Sequence, residues 1–400
     1  RLYKSGLRTT KIKLEKSKFI PYGRQDITEE DIEAVVKVLR SSFLTQGPTV
    51  PQFEKKVSQY CGVGYGVATN SATSALHIAC LALGLSKGDY MWTSPITFVA
   101  SANCGLYCGA KVDFVDINPK TYNMSPQALE EKLVQAEKEG RLPKIVIPVH
   151  FSGQSCDMHK IYNLSKKYGF KIIEDASHAI GGRYKKQLTG NCKYSNITIF
   201  SFHPVKIITT GEGGIALTNS SKLAKKMLLL RSHGITHDPK LMTYHPDGEW
   251  YYQQIDLGYN YRMTDIQAAL GVSQIHRLNK YIKKRKIISE RYDYAFNSLP
   301  IVTPYRHSDS EPSYHLYVIL VDEHSRKDMF NKLRDQGVGV NVHYIPVHMQ
   351  PYFLNIRCNS NNYKNAEYYY KRAFSLPIYP TLLNEEQDKV INLVKDFFRS

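Results

Sequence analysis

Between residues 66 and 175, short apolar runs alternate with segments of helical spacing, and no other feature of the chain limits its fold so strongly. Gly66–Ala68, Tyr90–Ser94, Lys111–Val115, Lys144–Val149 and Lys171–Glu174 read as buried strands. Between them, Ala75–Leu83, Thr97–Tyr107, Ser125–Glu139 and Met158–Tyr168 read as helices, the third with Ser125 as cap and Pro126 in its first turn. Strands that are apolar throughout and joined by helical crossovers predict a mostly parallel sheet covered on both faces. Ligands of such sheets collect at the carboxyl ends of the strands.

Three clusters lie at such ends. Asn70–Ser74 offers amides and hydroxyls where a helix begins, which suits either an ordinary N-cap or a phosphate site. Asp175 and His178 follow the fifth strand; each alone reads as well as a turn-capping or loop residue. The third cluster follows the apolar run Ile197–Phe200. Ser201-Phe-His-Pro204 breaks that run, Lys206 comes next, and Thr209–Gly214 is a turn rich in hydroxyls and glycine. A lysine crowded at a strand end can lose enough basicity to attack a carbonyl and form a Schiff base. A carbonyl-attacking lysine, a buried carboxylate for a protonated ring nitrogen and a helix-start phosphate cradle together are what pyridoxal phosphate chemistry requires. Phe98, which alone reads as core, could stack on the ring.

Composition removes several alternatives. The chain has 400 residues with 42% apolar and 22% charged, so a large domain plus a smaller one is expected. No apolar run is long enough for a membrane span, and no secretory pattern opens the chain. Seven cysteines, an odd number without zinc-site spacing, predict reduced thiols, no metal and a cytoplasmic home. Residues 1–18, a loose extension, hold seven Lys or Arg against one Glu and so account for +6 of the net +17. The remaining charge suits an anionic ligand such as a nucleotide phosphate. No nucleic-acid-binding signature accompanies it.

After about residue 255 the rhythm changes. Thr264–Arg277 and Leu278–Leu299 read as long helices, Tyr314–Val321 and Val338–Val342 as strands, Arg326–Gln336 and Glu385–Phe398 as helices. The expected division is a large domain over 19–258 and a smaller α+β domain over 259–400. The segment His237–Gln254 is long enough to be a lid or a subunit contact.

The ordered motifs NSATSALHIA (70–79), SPITFVASAN (94–103), EDASHAIGG (174–182), SFHPVKIITTGEGG (201–214), RSHGI (231–235) and LGYNYRMTDIQAALG (257–271) resemble the DegT/DnrJ/EryC1 sugar-nucleotide aminotransferases. The likeness extends from about residue 20 to the end. It implies the aspartate-aminotransferase fold (PLP fold type I) and a homodimer with shared sites. PITFVASANCGLYCGA and the run Gly337–His348 with Gln350-Pro-Tyr352 are most similar to the pseudaminic-acid-pathway branch. That branch aminates carbon 4 of a UDP-linked 2-acetamido-2,6-dideoxy-hexos-4-ulose, with glutamate as the expected donor. Related substrates would be dTDP- or GDP-linked ketosugars, or 3-keto sugars.

By this resemblance Lys206 is the cofactor-linking lysine and proton carrier, Asp175 faces the pyridine nitrogen and His178 lies near the ring hydroxyl. Ala72, Thr73 and Ser201 match the phosphate cradle and Phe98 the ring-stacking position. Asn260 matches an asparagine that reaches the phosphate across the dimer interface. Tyr22, the Phe43-Leu44-Thr45 turn and the His343-Tyr344 loop match places that hold the sugar nucleotide. A dehydratase branch of the family has His where this chain has Lys206, so the resemblance implies transamination. Two half-reactions through one lysine imply ping-pong kinetics.

Overall fold

A computed structural model describes residues 19–356 and 363–399. The loose extension expected over residues 1–18 lies outside the described residues, as does Cys358.

The strands of the main sheet are β1 (Tyr65–Thr69), β2 (Tyr90–Thr93), β3 (Lys111–Phe114), β4 (Ile145–Ile147), β5 (Lys171–Asp175), β6 (Ile197–Ser201) and β7 (Gly214–Thr218). Their spatial order is β1-β7-β6-β5-β4-β2-β3. The pairs from β3 through β6 are parallel, while β7 runs antiparallel to both β6 and β1. The expected mostly parallel sheet is therefore present, with one antiparallel strand that the sequence reading left unassigned after the Thr209–Gly214 turn. Gly213 and Gly214 disguised it, because glycine weakens a strand pattern. Gly214 nevertheless has a packing reason to be glycine. A Cβ there would lie 2.5 Å from the Ala72 nitrogen, so only glycine lets β7 lie against the helix that follows β1.

That helix and its fellows cover the sheet. In chain order they are α1 (Glu29–Leu39), α2 (Thr49–Cys61), α3 (Ala72–Ala82), α4 (Ala100–Tyr107), α5 (Pro126–Lys138), α6 (Met158–Tyr168) and α7 (Ser221–Arg231). Ser125 and Ser71 cap α5 and α3 through their hydroxyls. One apolar layer packs α3, α4 and α7 against Val67, Ile145, Ile173, Ile197 and Ala216; a second sits under α5 and α6 around Trp92, Val146 and Ile172. Helix α4 begins three residues later than expected, so Thr97, Phe98 and Val99 stay outside it. At the start of α1, Asp31 accepts the Thr28 amide at 3.0 Å. It is also buried against Arg277 and Gln274.

The C-terminal part follows α8 (Asp265–Gln274) and α9 (Leu278–Phe296). The single helix expected over Thr264–Arg277 tightens into a 3-10 turn at Ile275–Arg277. Strands β8 (Tyr317–Leu320) and β9 (Ala373–Leu376) pair antiparallel, and α10 (Glu323–Asp335) and α13 (Asn384–Phe397) pack on them, with α11 (Pro351–Asn355) and α12 (Lys364–Arg372) between. Their core holds Tyr292, Tyr317, Ile319, Phe374 and Val390. The strand expected over Val338–Val342 is not formed. Val338 bridges Ile20 and Asn341 bridges Ser375, and Val340 between them joins neither bridge. The segment is shared between two partners rather than paired along one.

Candidate active site

Strands β5 and β6 end at the floor of a cavity of about 840 Å³. Asp175 closes β5 and is buried. Its Oδ2 accepts the Ser101 hydroxyl at 2.6 Å, and its Oδ1 accepts the Ser177 hydroxyl at 2.6 Å and amide at 3.1 Å. Ser101 stands 2.7 Å from Thr97 Oγ1. Since Ser101 donates to Asp175, Thr97 donates to Ser101. The carboxylate is thus fixed by donors on two elements, α4 and the turn after β5.

Lys206 lies in the loop between β6 and β7 and lines the same cavity. Burial lowers its amine to about 8, against the opposing pull of the Asp175 charge. The expectation of a crowded, less basic lysine is met.

Helix α3 points its start into the cavity. Ser71 Oγ accepts the Ser74 amide at 3.1 Å, so the N-cap reading of this cluster holds. The Ala72 and Thr73 amides are the first two of the helix and have no intrahelical acceptor; both residues line the cavity, as does Ser201. Phe98 is not core: it is 60% exposed and lines the cavity wall.

The opposite wall comes from the C-terminal part. His343 is buried, with Nδ1 2.8 Å from Ser375 Oγ, and burial lowers its ring to about 3. Tyr344 Oη lies 3.1 Å from His178 Nε2. Tyr22 comes from the N-terminal lead-in and packs 5.1 Å from the His343 ring. The His315 ring lies 4.3 Å from that of His178, tilted by 44°. Burial holds both His178 and His315 well below the usual imidazole range, so both are neutral.

Ten predicted residues therefore line one cavity: Tyr22, Ala72, Thr73, Phe98, Asp175, His178, Ser201, Lys206, His343 and Tyr344. Four do not. Phe43, Leu44 and Thr45 are exposed and lie where Thr45 bridges Thr264. Asn260 is exposed too, and its carbonyl accepts from Asn70 Nδ2 at 3.5 Å. Thr97, Ser101 and Ser177 were inside quoted motifs yet unassigned; the hydroxyl spacing around Asp175 was the available signal. Asn341 lay unassigned inside the quoted Gly337–His348 run, and His315 carried no signal, because irregular backbone delivers it.

A family model for the DegT/DnrJ/EryC1/StrS aminotransferases matches residues 25–395. The chain belongs to this family. It is a pyridoxal-phosphate-dependent sugar aminotransferase with the PLP fold type I architecture. Among its relatives is the UDP-4-amino-4,6-dideoxy-N-acetyl-β-L-altrosamine transaminase of Campylobacter jejuni, 38% identical over 90% of this chain and 92% of that protein. The spore coat polysaccharide biosynthesis protein SpsC of Bacillus subtilis is 38% identical over 96% of this chain and 98% of its own. Helicobacter pylori PseC, an aminotransferase involved in the biosynthesis of pseudoaminic acid, superposes with a TM-score of 0.88 at 30% identity, covering 95% of this chain and 99% of that one.

The cavity fits the cofactor on its own evidence. A buried carboxylate that accepts three hydrogen bonds suits a protonated ring nitrogen. Two amides without an intrahelical acceptor at a helix start suit a phosphate. Gly214 lets that helix start close over the floor, where a Cβ would collide with it. Among the described residues no group of three or more His, Cys, Asp or Glu could hold a metal, and no helix is long and apolar enough to cross a membrane.

Proposed function

We propose that this enzyme transfers an amino group from glutamate to carbon 4 of a UDP-linked 2-acetamido-2,6-dideoxy-hexos-4-ulose. The observation that carries the reading is Lys206, a lysine of lowered basicity in a cavity with Asp175 on its floor. The choice of sugar is supported by the Campylobacter jejuni relative and the Helicobacter pylori neighbour. SpsC, equally identical and covering more of the chain, favours a second reading: another nucleotide-linked ketosugar.

Bound pyridoxal phosphate supplies the electron sink that lets a carbon-bound proton leave. The protein's own groups do the rest. Lys206 would hold the cofactor and, once free, would move a proton between the donor carbon and the cofactor in one half-reaction and between the cofactor and the sugar carbon in the other, as base and then acid. Asp175 keeps the ring nitrogen protonated, and Ser101 and Ser177 hold Asp175. The Ala72 and Thr73 amides with Ser201 bind phosphate, and Phe98 offers its exposed face for stacking. Tyr22, His343 and Tyr344 form the wall that meets the sugar. Asn260 and the Phe43-Leu44-Thr45 turn lie outside the cavity of their own chain, which supports a homodimer in which each chain lends them to its neighbour. We assign residues 19–258 to the cofactor-binding domain and 259–400 to the smaller one.

The test is conversion of matched UDP-, dTDP- and GDP-linked 4-ketosugars with glutamate, with carbon-4 amination read by NMR. UDP-sugar turnover at least tenfold above the others is expected. Equal turnover of all three, or amination at carbon 3, would overturn the choice of sugar.

A further inference from the structure

The hydrogen bonds around His178 have a direction. Its Nδ1 lies 3.2 Å from the Ser152 amide nitrogen. A backbone N–H only donates, so Nδ1 accepts. Burial, with the charge of Lys206 adding to it, keeps the ring neutral. Its single proton then sits on Nε2, which faces Tyr344 Oη at 3.1 Å. Tyr344 must accept that bond.

A phenol that accepts from His178 still has its own proton to place. Burial raises the Tyr344 phenol, so the proton stays on. The ring is held by Phe151 at 6.3 Å, His343 at 5.0 Å and Phe98 at 6.4 Å. The backbone behind it is tied down where the His343 carbonyl accepts the Tyr369 hydroxyl at 2.5 Å. Among the described residues no acceptor meets the Tyr344 hydroxyl proton, and Tyr344 lines the cavity.

We propose that Tyr344 is the hydrogen-bond donor on this side of the cavity, giving its phenolic proton to an acceptor oxygen of the bound ligand, with His178 acting through it as a positioning residue. The resemblance places His178 beside the cofactor's ring hydroxyl. The proton inventory leaves His178 no N–H for a ligand, because Ser152 occupies one nitrogen and Tyr344 the other. The acceptor is an oxygen of the cofactor ring or an oxygen of the sugar. The inference rests on the aminotransferase assignment and not on the choice of sugar.

Tyr344→Phe removes the hydroxyl and keeps the ring packing. A cofactor acceptor predicts a shifted visible band and about five- to tenfold weaker cofactor binding. A sugar acceptor predicts an unchanged band, an unchanged glutamate half-reaction and a sugar KM raised by about five- to tenfold. If band, cofactor affinity and sugar KM all stay within twofold of wild type, whatever happens to kcat, the proposal is overturned. A second measurement needs no variant to report on the site. Nitrogen-15 NMR of the histidine-labelled wild-type apoenzyme, with His178 assigned by its disappearance in His178→Asn, reads the tautomer directly. A proton on Nε2 is expected; a proton on Nδ1, or on both nitrogens, would reverse the bonds and refute the proposal. Failure of the ketosugar assay would leave both readouts intact.

Discussion

The two walls of the cavity are made differently. The floor and near wall are the carboxyl ends of β5 and β6 with the starts of α3 and α4, each the terminus of a regular element. The far wall is His315 and Asn341–Tyr344, on backbone held by isolated bridges and long-range contacts. The near wall needs fixed charges and amides at exact strand ends, and regular elements place those well. The far wall meets the variable part of the ligand, and irregular backbone can change there without disturbing the sheet.

The contrast can be broken in order of expected effect. Lys206→Ala should lower turnover by about 10³-fold or more, since among the described residues no other lysine lines the cavity to carry the proton; steady-state kinetics on the folded variant checks this. Activity within tenfold of wild type would remove the lysine from the mechanism. Asp175→Asn keeps the shape but loses the charge, and should lower turnover by about 10²-fold while leaving the melting temperature nearly unchanged. Far-wall changes such as His343→Ala should instead act mainly on the sugar KM, leaving the glutamate half-reaction near wild type.

Gly214→Ala pushes a methyl into the start of α3. It should cost about 1–3 kcal/mol of stability and weaken cofactor binding, read by thermal melts and by titration of the visible band. Ser101→Ala is the smallest: Asp175 keeps both Ser177 bonds, so turnover should fall by less than about tenfold.

Acidity gives a separate handle on the near wall. The Lys206 amine is free above about 8 and protonated below it. Capture of cofactor by apoenzyme should therefore slow about tenfold per pH unit as pH falls below about 8, where an ordinary lysine would already slow below about 10.4. Stopped-flow capture rates between pH 6 and 10 measure the midpoint.

Legibility followed the same division. The crossover rhythm gave the parallel strands, and the polar residues at their ends gave Asp175, Ser201, Lys206 and the α3 start. The antiparallel β7 was hidden by the glycines that let it pack against α3. The far wall was reachable only through resemblance, since Val338–Val342 has the alternation of a strand but splits its pairing between Ile20 and Ser375. Phe98 was misjudged alone for the opposite reason: an aromatic in an apolar run usually goes inside, and only the late start of α4 leaves it in the cavity.

The most direct test of the central claim is to trap the cofactor. Wild-type enzyme loaded with pyridoxal phosphate is reduced with borohydride, digested and mapped by mass spectrometry. The account predicts a single cofactor-sized mass increment on Lys206, prevented by prior incubation with glutamate. An increment on another lysine, or none, would contradict it.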